Sequence, residues 1–406
     1  MRYVILFILF ASYSVAAQKK EKPYVVLVSF DGFRHDYVSK YDLPNFNAFI
    51  QKGVAADGLI PSFPSKTFPN HYTLVTGLYP GNHGLVDNYF YDKRLNLNYT
   101  MRNRDMVENP VFYGGTPLWQ LAQQQGLKSA SCFWVGSEAP VLGELPTYYY
   151  RYEQEMPNVK RIDQVMDWLK LPKKERPQFI SLYFSLVDTE GHNTGPNSEA
   201  LKKTVIQADS LLGYLMQGIK KTKLPVNVIL VSDHGMYELE QKEETYITLS
   251  KFINLADTTV RVINGGTQAH LYTNNVDSLY TALKAVEKNF EAFKREDFPN
   301  HWNYKNDRVG DIMIVANPGF YIQVNSRNFS RLQSPVFGVH GYDPQEVREM
   351  QGIFYANGPN IRGGTTVPAF ENVHVYPFIA FLLGLTPPKT DGELSVLQPV
   401  YKNQNK

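Results

Sequence analysis

Residues 24–32 read YVVLVSFDG and decide the fold class of this chain. Six of the first seven are apolar, without alternation of polar and apolar residues, which is typical of a strand buried on both faces of a parallel sheet. Two later runs repeat the pattern: residues 179–187 precede Asp188, and residues 226–232 precede Asp233. In open α/β sheets, ligands bind outside the carboxyl ends of the strands. We therefore expect Asp31, Asp188 and Asp233 to lie at that edge.

Helical patterns separate these strands. Residues 118–125 end before Gly126, and residues 198–221 carry apolar side chains at helical spacing after a serine. Strand and helix in alternation predict an α/β fold with a doubly wound, mostly parallel sheet and helices on both faces.

The pattern changes between residues 237 and 335. Short strand-like runs at residues 269–273 and 319–324 surround a helical pattern at residues 276–295. We interpret residues 237–335 as a smaller α+β insertion in a main catalytic domain formed by residues 23–236 and 336–400.

The N-terminal residues and the cysteine count indicate the compartment. Residues 1–17 combine Arg2, a short apolar run and small residues, which is typical of a cleavable signal peptide; a retained membrane anchor is the alternative. Cys132 is the only cysteine, so an intramolecular disulfide is excluded. Together these features favour a periplasmic or secreted bacterial protein without a stable membrane span after cleavage. The net charge of +2 gives no reason to expect binding to nucleic acid polymers.

Thr67 is a candidate nucleophile within SFPSKTFPNH, residues 62–71. Pro69 and the helix-like run after it place Thr67 near a helix N-terminus, where backbone N–H groups and the helix dipole favour a phosphoryl group. A hydroxyl is inert at neutral pH unless a base or a metal activates it. A threonine at this position also fits a simple N-cap.

Aspartate and histidine side chains recur at the predicted strand ends. They are Asp31, Asp188 with His192, Asp233 with His234, and the later His340. A single Asp-His pair is often only a structural hydrogen bond, but two pairs at equivalent strand ends favour a metal centre. The mixture of carboxylate oxygen and imidazole nitrogen suits zinc better than magnesium.

Motifs along nearly the whole chain resemble those of the nucleotide pyrophosphatase/phosphodiesterase family, bacterial type, within the alkaline phosphatase superfamily. They lie at residues 28–32, 64–72, 76–80, 83–84, 87–88, 133–138, 188–192, 232–235 and 340–342.

The resemblance implies two Zn²⁺ ions. One would be held by Asp188, His192 and His340, and the second by Asp31, Thr67, Asp233 and His234. It also implies that Thr67 attacks phosphorus and forms a phosphothreonine intermediate. Asn88 would donate to a phosphoryl oxygen, although it also fits a turn asparagine.

Comparison within the superfamily reduces the number of possible reactions. A sulfatase needs a Cys/Ser-x-Pro-x-Arg frame, which the threonine and the residues after it do not provide. Threonine monoesterases carry a Lys-x-Arg clamp where this chain has residues 136–138. The carboxylate of Glu138 would repel a phosphate dianion, which favours a diester substrate.

The resemblance further implies that aromatic side chains stack on the base of a small nucleotide substrate. The candidates are Phe68, Tyr149 and Tyr152, with Asn88 nearby; a tyrosine-rich loop that only packs on the core is the alternative. The expected product is a nucleoside 5′-monophosphate. A choline-phosphate or lysophospholipid phosphodiesterase and a non-catalytic envelope binding protein remain as alternative functions.

Several histidines lie outside the predicted metal set. His71 and His83 are expected to orient their neighbours, and the others are expected to be structural, namely His35, His270, His301 and His374.

Overall fold

The computed structural model describes residues 23–326 and 334–403, so the predicted signal peptide at residues 1–17 lies outside the described residues. The α-helices of this part are, in chain order, α1 (Tyr37–Lys40), α2 (Pro44–Gln51), α3 (Thr67–Thr76), α4 (Pro80–His83), α5 (Arg104–Val107), α6 (Leu118–Gln124), α7 (Asn158–Lys170), α8 (Leu186–Thr194), α9 (Glu199–Thr222), α10 (Val276–Ala285) and α11 (Val375–Leu383). None of these helices is both long enough and apolar enough to cross a membrane.

The strands of the same part are, in chain order, β1 (Tyr24–Phe30), β2 (Val54–Ala56), β3 (Leu59–Ile60), β4 (Tyr89–Asp92), β5 (Leu97–Thr100), β6 (Ser129–Cys132), β7 (Tyr148–Tyr150), β8 (Phe179–Phe184), β9 (Val226–Val231), β10 (Tyr237–Glu240), β11 (Tyr246–Thr248), β12 (Val260–Asn264), β13 (Gln268–Thr273), β14 (Phe290–Lys294), β15 (Ile312–Ala316), β16 (Tyr321–Gln323), β17 (Val336–Val339), β18 (Phe354–Asn357), β19 (Thr365–Val367) and β20 (Phe370–Glu371).

An eight-stranded sheet in the order β19-β2-β18-β9-β1-β8-β6-β7 forms the centre of the main domain. The strands from β9 to β7 are parallel, whereas β18 runs antiparallel to β9. Val25 and Leu27 of β1 belong to a core with α3, α6 and α11, while Val26 and Val28 belong to a second core with α2, α7 and α9. Alternate side chains of one strand therefore enter cores on opposite faces of the sheet, and the predicted α/β doubly wound class is confirmed.

A second, antiparallel sheet in the order β12-β13-β15-β14 has its own core, which includes Leu271 and Ile314. The predicted helix at residues 276–295 is wrong in its second half, because α10 ends at Ala285 and β14 follows. Asn289 has a φ of +62°, which turns the chain, and burial then alternates between Phe290 and its neighbours with the period of a strand. The strands that enter and leave this region, β10 and β17, pair with each other.

Candidate functional site

The carboxyl ends of three adjacent strands position the acidic side chains. β1 lies between β8 and β9 and is followed directly by Asp31, whose carbonyl oxygen accepts a hydrogen bond from Asp188 N at 3.0 Å. Asp188 and His192 lie within α8, which begins just after β8, and four-residue spacing puts them on one helix face. A Cβ on Gly32 would lie 2.8 Å from Asp188 Cα, so the close approach of the two strand ends requires glycine.

The first group of candidate metal ligands joins α8 to the chain after β17. His192 Nε2 lies 3.3 Å from Asp188 Oδ1, and His340 Nε2 lies 3.7 Å from the same oxygen. The two imidazole Nε2 atoms are 3.2 Å apart. The structure therefore brings together the three residues predicted for one metal.

Hydrogen bonds on the far side of each ring determine which nitrogen faces this group. His192 Nδ1 donates to Gly338 O and His340 Nδ1 donates to Ser65 O, each at 2.8 Å, because a carbonyl oxygen can only accept. Both Nε2 atoms then present lone pairs toward each other. Burial, His234, Lys66 and His192 lower the pKa of His340 well below its ordinary value, which keeps this ring neutral.

The second group lies at the ends of β1 and β9. His234 Nε2 lies 3.1 Å from Asp233 Oδ2 and 3.5 Å from Asp31 Oδ1. His234 Nδ1 donates to Gly235 O at 2.8 Å, so its Nε2 faces the carboxylates. Burial lowers the pKa of His234, but the charge and the hydrogen bond of Asp233 together outweigh burial and raise that pKa above its ordinary value. Thr67 Oγ1 lies 3.2 Å from His234 Nε2, which places the predicted nucleophile beside the predicted ligands.

Three carboxylate oxygens of these groups have no hydrogen-bond partner within the described part of the chain. They are Asp31 Oδ1, Asp188 Oδ1 and Asp233 Oδ2, and all three are buried. Burial and the charges of Asp233 and Asp188 raise the pKa of Asp31 well above its ordinary value. Unpartnered buried carboxylates are costly unless a cation joins them, and here they face imidazole nitrogens, so the donor set fits a divalent metal such as zinc.

His71 lies within 4.8 Å of carboxylate oxygens of Asp31 and Asp233 but does not have the geometry of a ligand. Its Nδ1 donates to Thr67 O at 2.9 Å and lies 3.2 Å from Asp233 Oδ2, while its Nε2 accepts from Ser29 Oγ at 2.8 Å. Both ring nitrogens are therefore used within the protein. His71 orients Asp233 and the first turn of α3.

Thr67 is the first residue of α3, and Lys66 is the N-cap without a side-chain capping bond. The interpretation of Thr67 as an N-cap is therefore wrong, and its hydroxyl is free to face the carboxylates. Lys66 Nζ donates to His340 O and to Gly265 O, each at 2.8 Å. Lys66 precedes Thr67 in the chain, and these two hydrogen bonds fix its position within the site.

Asn88 contacts the residue after the nucleophile. Phe68 N donates to Asn88 Oδ1 at 2.9 Å, and because an N–H can only donate, this bond determines the orientation of the amide. Among the described residues, Asn88 Nδ2 has no hydrogen-bond acceptor, so the amide donor is left for a ligand.

A cavity of about 430 Å³ opens beside Thr67. Phe68 and Tyr152 line it, but Tyr149 does not, so the prediction for Tyr149 is wrong. Tyr149 lies in the edge strand β7, where it pairs with Ser131, and the chain reaches the cavity only after that strand ends. Further lining residues carry no motif in the sequence: Met101, Arg102, Arg104, Val107 and Gln154.

Glu138 lies at this cavity as part of an ion pair. Its Oε2 accepts from Arg104 Nη1 at 2.7 Å, and its Oε1 accepts from Tyr152 N at 2.6 Å. Burial raises the pKa of Glu138 even though both bonds oppose that shift. The predicted repulsion of a phosphate dianion loses its basis, because the arginine compensates the charge. Instead, Glu138 and Arg104 hold Tyr152 at the cavity.

Residues 25–343 match the family model of type I phosphodiesterase / nucleotide pyrophosphatase. The chain belongs to this family. The match agrees with the motifs and with the site at the carboxyl ends of the strands, and the predicted family is confirmed.

Named relatives of the phosphodiesterase family align along most of the chain. A venom phosphodiesterase of Macrovipera lebetinus is 36% identical over 394 residues, which cover 94% of this chain and 46% of the relative. Family member 1 of the ectonucleotide pyrophosphatase/phosphodiesterases of Homo sapiens is 35% identical over 398 residues, covering 94% and 42%. The chain thus spans about half the length of the curated relatives it matches.

Solved structures of the family share the fold. Murine ectonucleotide pyrophosphatase/phosphodiesterase 5, an inactive variant in complex with AMP, superposes with a TM-score of 0.86 at 32% identity. Its human counterpart gives a TM-score of 0.87 at 32% identity. Each alignment covers 94% of this chain and 100% of the solved chain.

Proposed function

We propose that this chain is a two-zinc phosphodiesterase that hydrolyses nucleotide phosphodiester or pyrophosphate bonds and releases nucleoside 5′-monophosphates. The observation that carries the proposal is the Thr67 hydroxyl at the start of α3, 3.2 Å from His234 Nε2 and beside unpartnered buried carboxylates. The names of the aligned relatives, phosphodiesterase and nucleotide pyrophosphatase, support the same reaction.

The chain offers seven residues for the two metals. Asp188, His192 and His340 would hold one ion, and Asp31, Thr67, Asp233 and His234 would hold the other. Bound zinc supplies Lewis acidity, which lowers the pKa of a hydroxyl and compensates charge on phosphoryl oxygens.

In the proposed reaction, Thr67 Oγ attacks phosphorus opposite the leaving oxygen. The Oγ–P bond forms as the bond from phosphorus to the leaving alcohol or phosphate breaks, and the hydroxyl proton is released to solvent, from which the leaving oxygen takes up a proton. The nucleotide is then covalently attached to the threonine. Water then attacks phosphorus, the Oγ–P bond breaks, and the threonine hydroxyl regains its proton. The free nucleoside 5′-monophosphate leaves the site.

The first turn of α3 limits which protein donors can reach the phosphoryl group. Pro69 has no N–H, and the N–H of Phe68 is already bonded to Asn88. The amide Nδ2 of Asn88 is therefore the side-chain donor that we assign to a non-bridging phosphoryl oxygen.

The cavity supports a nucleotide over a choline-phosphate substrate. Phe68 and Tyr152 provide aromatic faces for a base, and stacking on such faces tolerates any base. Arg102 also lines the cavity, and its positive charge disfavours a trimethylammonium group. The AMP complex of the murine relative is consistent with this choice.

The test is hydrolysis of an aryl ester of thymidine 5′-monophosphate by the purified chain. Wild-type activity should disappear with a chelator and return with zinc. Thr67→Ala should lower kcat by at least about 10³-fold, because the covalent route is lost. The control is Thr76→Ala in the same helix, whose hydroxyl donates to Tyr72 O within that helix and whose loss should leave kcat unchanged.

Three results would contradict the proposal. Full activity of Thr67→Ala would exclude the threonine nucleophile, and full activity after chelation would exclude the metals. Nucleotide binding without turnover would instead favour the non-catalytic binding protein.

We also propose that the chain acts in the periplasm or outside the cell, on the basis of its N-terminal sequence and single cysteine. Fractionation of the native cells, followed by sequencing of the mature N-terminus, tests this location. Recovery of the intact chain from the cytoplasm would contradict it.

A further inference from the structure

Asp87, the residue before Asn88, is a fully buried carboxylate held by the insertion. Its Oδ1 accepts from Asn88 N at 2.6 Å. Its Oδ2 accepts from Gln268 Nε2 at 2.5 Å and from His270 Nε2 at 2.9 Å. Both donors lie in β13 and are 0% exposed, so solvent cannot replace them.

The other hydrogen bonds of His270 and Gln268 determine which of their atoms donate to Asp87. His270 Nδ1 donates to Val309 O at 2.7 Å and its Nε2 donates to Asp87, so each ring nitrogen has a fixed acceptor. Gln268 Oε1 accepts from Thr267 Oγ1 at 2.5 Å, which turns the amide nitrogen toward Asp87. Burial raises the pKa of Asp87, but the bond and charge of His270 hold it below its ordinary value. Asp87 is therefore an ionised acceptor with two fixed donors.

Asn88 is consequently held from two directions. Its backbone N–H is bonded to Asp87, and its side-chain Oδ1 is bonded to Phe68 N next to the nucleophile. A displacement of the backbone would rotate Nδ2 away from the phosphoryl oxygen, and small errors of position are costly in catalysis.

We propose that His270 and Gln268 are positioning residues for phosphoryl transfer, acting through Asp87 to aim the amide donor of Asn88. This inference rests on the proposed function. It gives the insertion a part in the reaction, because its strand β13 supports the group that binds the phosphoryl oxygen. It also distinguishes His270 from a histidine that only stabilises the fold.

Two substitutions of His270 separate positioning from folding. His270→Gln keeps a donor near the Nε2 position, toward Asp87, whereas His270→Asn keeps a donor near the Nδ1 position, toward Val309. We expect His270→Asn to lower kcat for the nucleotide ester about tenfold with little change in KM, and His270→Gln to restore most of it. Equal losses in both variants, or no loss in His270→Asn, would overturn the inference.

A double-mutant cycle with Asn88→Ala tests the proposed route. If His270 acts through Asn88, adding His270→Asn to Asn88→Ala should lower kcat by less than twofold further. A further tenfold loss would show that His270 acts independently and would overturn the route. Tyr304→Phe is the control, because Tyr304 donates to Val86 O, one residue before Asp87, and its loss should lower the melting temperature without changing kcat.

Failure of the inference is distinguishable from failure of the proposed function. If Thr67→Ala and Asn88→Ala retain full activity, the proposed function is wrong. If both lose activity while His270→Asn does not, only the positioning role is wrong. Should His270→Asn fail to fold, Gln268→Met can replace it, because this change removes the second donor to Asp87 at similar side-chain volume. A loss of kcat in Gln268→Met would then support the positioning role, and an unchanged kcat would overturn it.

Discussion

Asp31→Asn should stabilise the metal-free protein, which is the opposite of the usual effect of changing a buried residue. Ligand oxygens of Asp31 lie within 4.8 Å of those of Asp188 and of Asp233. Two carboxylates at that separation repel each other by about 3.5 kcal/mol at an effective dielectric constant of about 20. Asparagine removes both repulsions and can still accept the hydrogen bond that Tyr183 donates to Asp31 at 2.6 Å.

The measurable gain is smaller than the sum of two repulsions. Because burial and the neighbouring carboxylates raise the pKa of Asp31, this residue can take up a proton to relieve part of the repulsion. We therefore expect Asp31→Asn to raise the free energy of unfolding by about 1–3 kcal/mol at pH 8 in the presence of a chelator. The gain should decrease as the pH falls, since the wild-type carboxyl then protonates.

Urea denaturation of both proteins, with a chelator and with zinc, measures this effect. Zinc should stabilise the wild type strongly and Asp31→Asn much less, because one ligand is lost. Asp209→Asn is a matched control of opposite sign: this buried carboxylate accepts from Phe46 N at 2.8 Å and from Asn45 Nδ2 at 2.7 Å, so its substitution should destabilise the protein. If chelated Asp31→Asn is less stable than the wild type, or zinc stabilises both equally, the assignment of Asp31 to a metal site is wrong.

Other predictions concern stability, pH and substrate binding. Arg308→Met should lower the free energy of unfolding by about 3–5 kcal/mol, because it removes the cation that pairs with the buried carboxylate of Asp92. Arg308 Nε lies 2.7 Å from that carboxylate. Urea denaturation measures the effect, and a loss below about 1 kcal/mol would contradict the prediction. Burial lowers the pKa of His83 to about 3, so the folded state binds fewer protons than the unfolded state and stability falls below about pH 6.5 by up to about 1.4 kcal/mol per pH unit. His83→Gln should reduce the fall in the free energy of unfolding per pH unit between about pH 6.5 and 5. An unchanged fall would show that His83 is not the group responsible. Tyr152→Ala should raise KM for a nucleotide ester about tenfold but leave KM for a small diaryl phosphate unchanged, since only the former has a base to stack; steady-state kinetics on both substrates decide this.

Local patterns were sufficient to predict the strands that carry the site. Mostly apolar runs identified β1, β8 and β9, and each run is followed by an aspartate that the structure places at one sheet edge. Prediction failed where neighbouring contacts override the local pattern. Residues 290–294 continue a helical pattern in sequence but pair as β14 with β15, and Tyr149 belongs to an edge strand outside the cavity.

The sequence by itself determined which chemical groups stand at the strand ends and that Thr67 lies at a helix start, because these features follow from periodicity over a few residues. The motif resemblance predicted that His340 joins His192, 148 residues away, and the structure shows this contact. Only the tertiary structure decided that His270 reaches Asp87, 183 residues away. Those contacts depend on how β17 and the sheet of the insertion return the chain to the edge of the central sheet. Long-range packing of this kind leaves no periodic pattern in the sequence, although it determines how the side chains of the site are oriented by their hydrogen bonds.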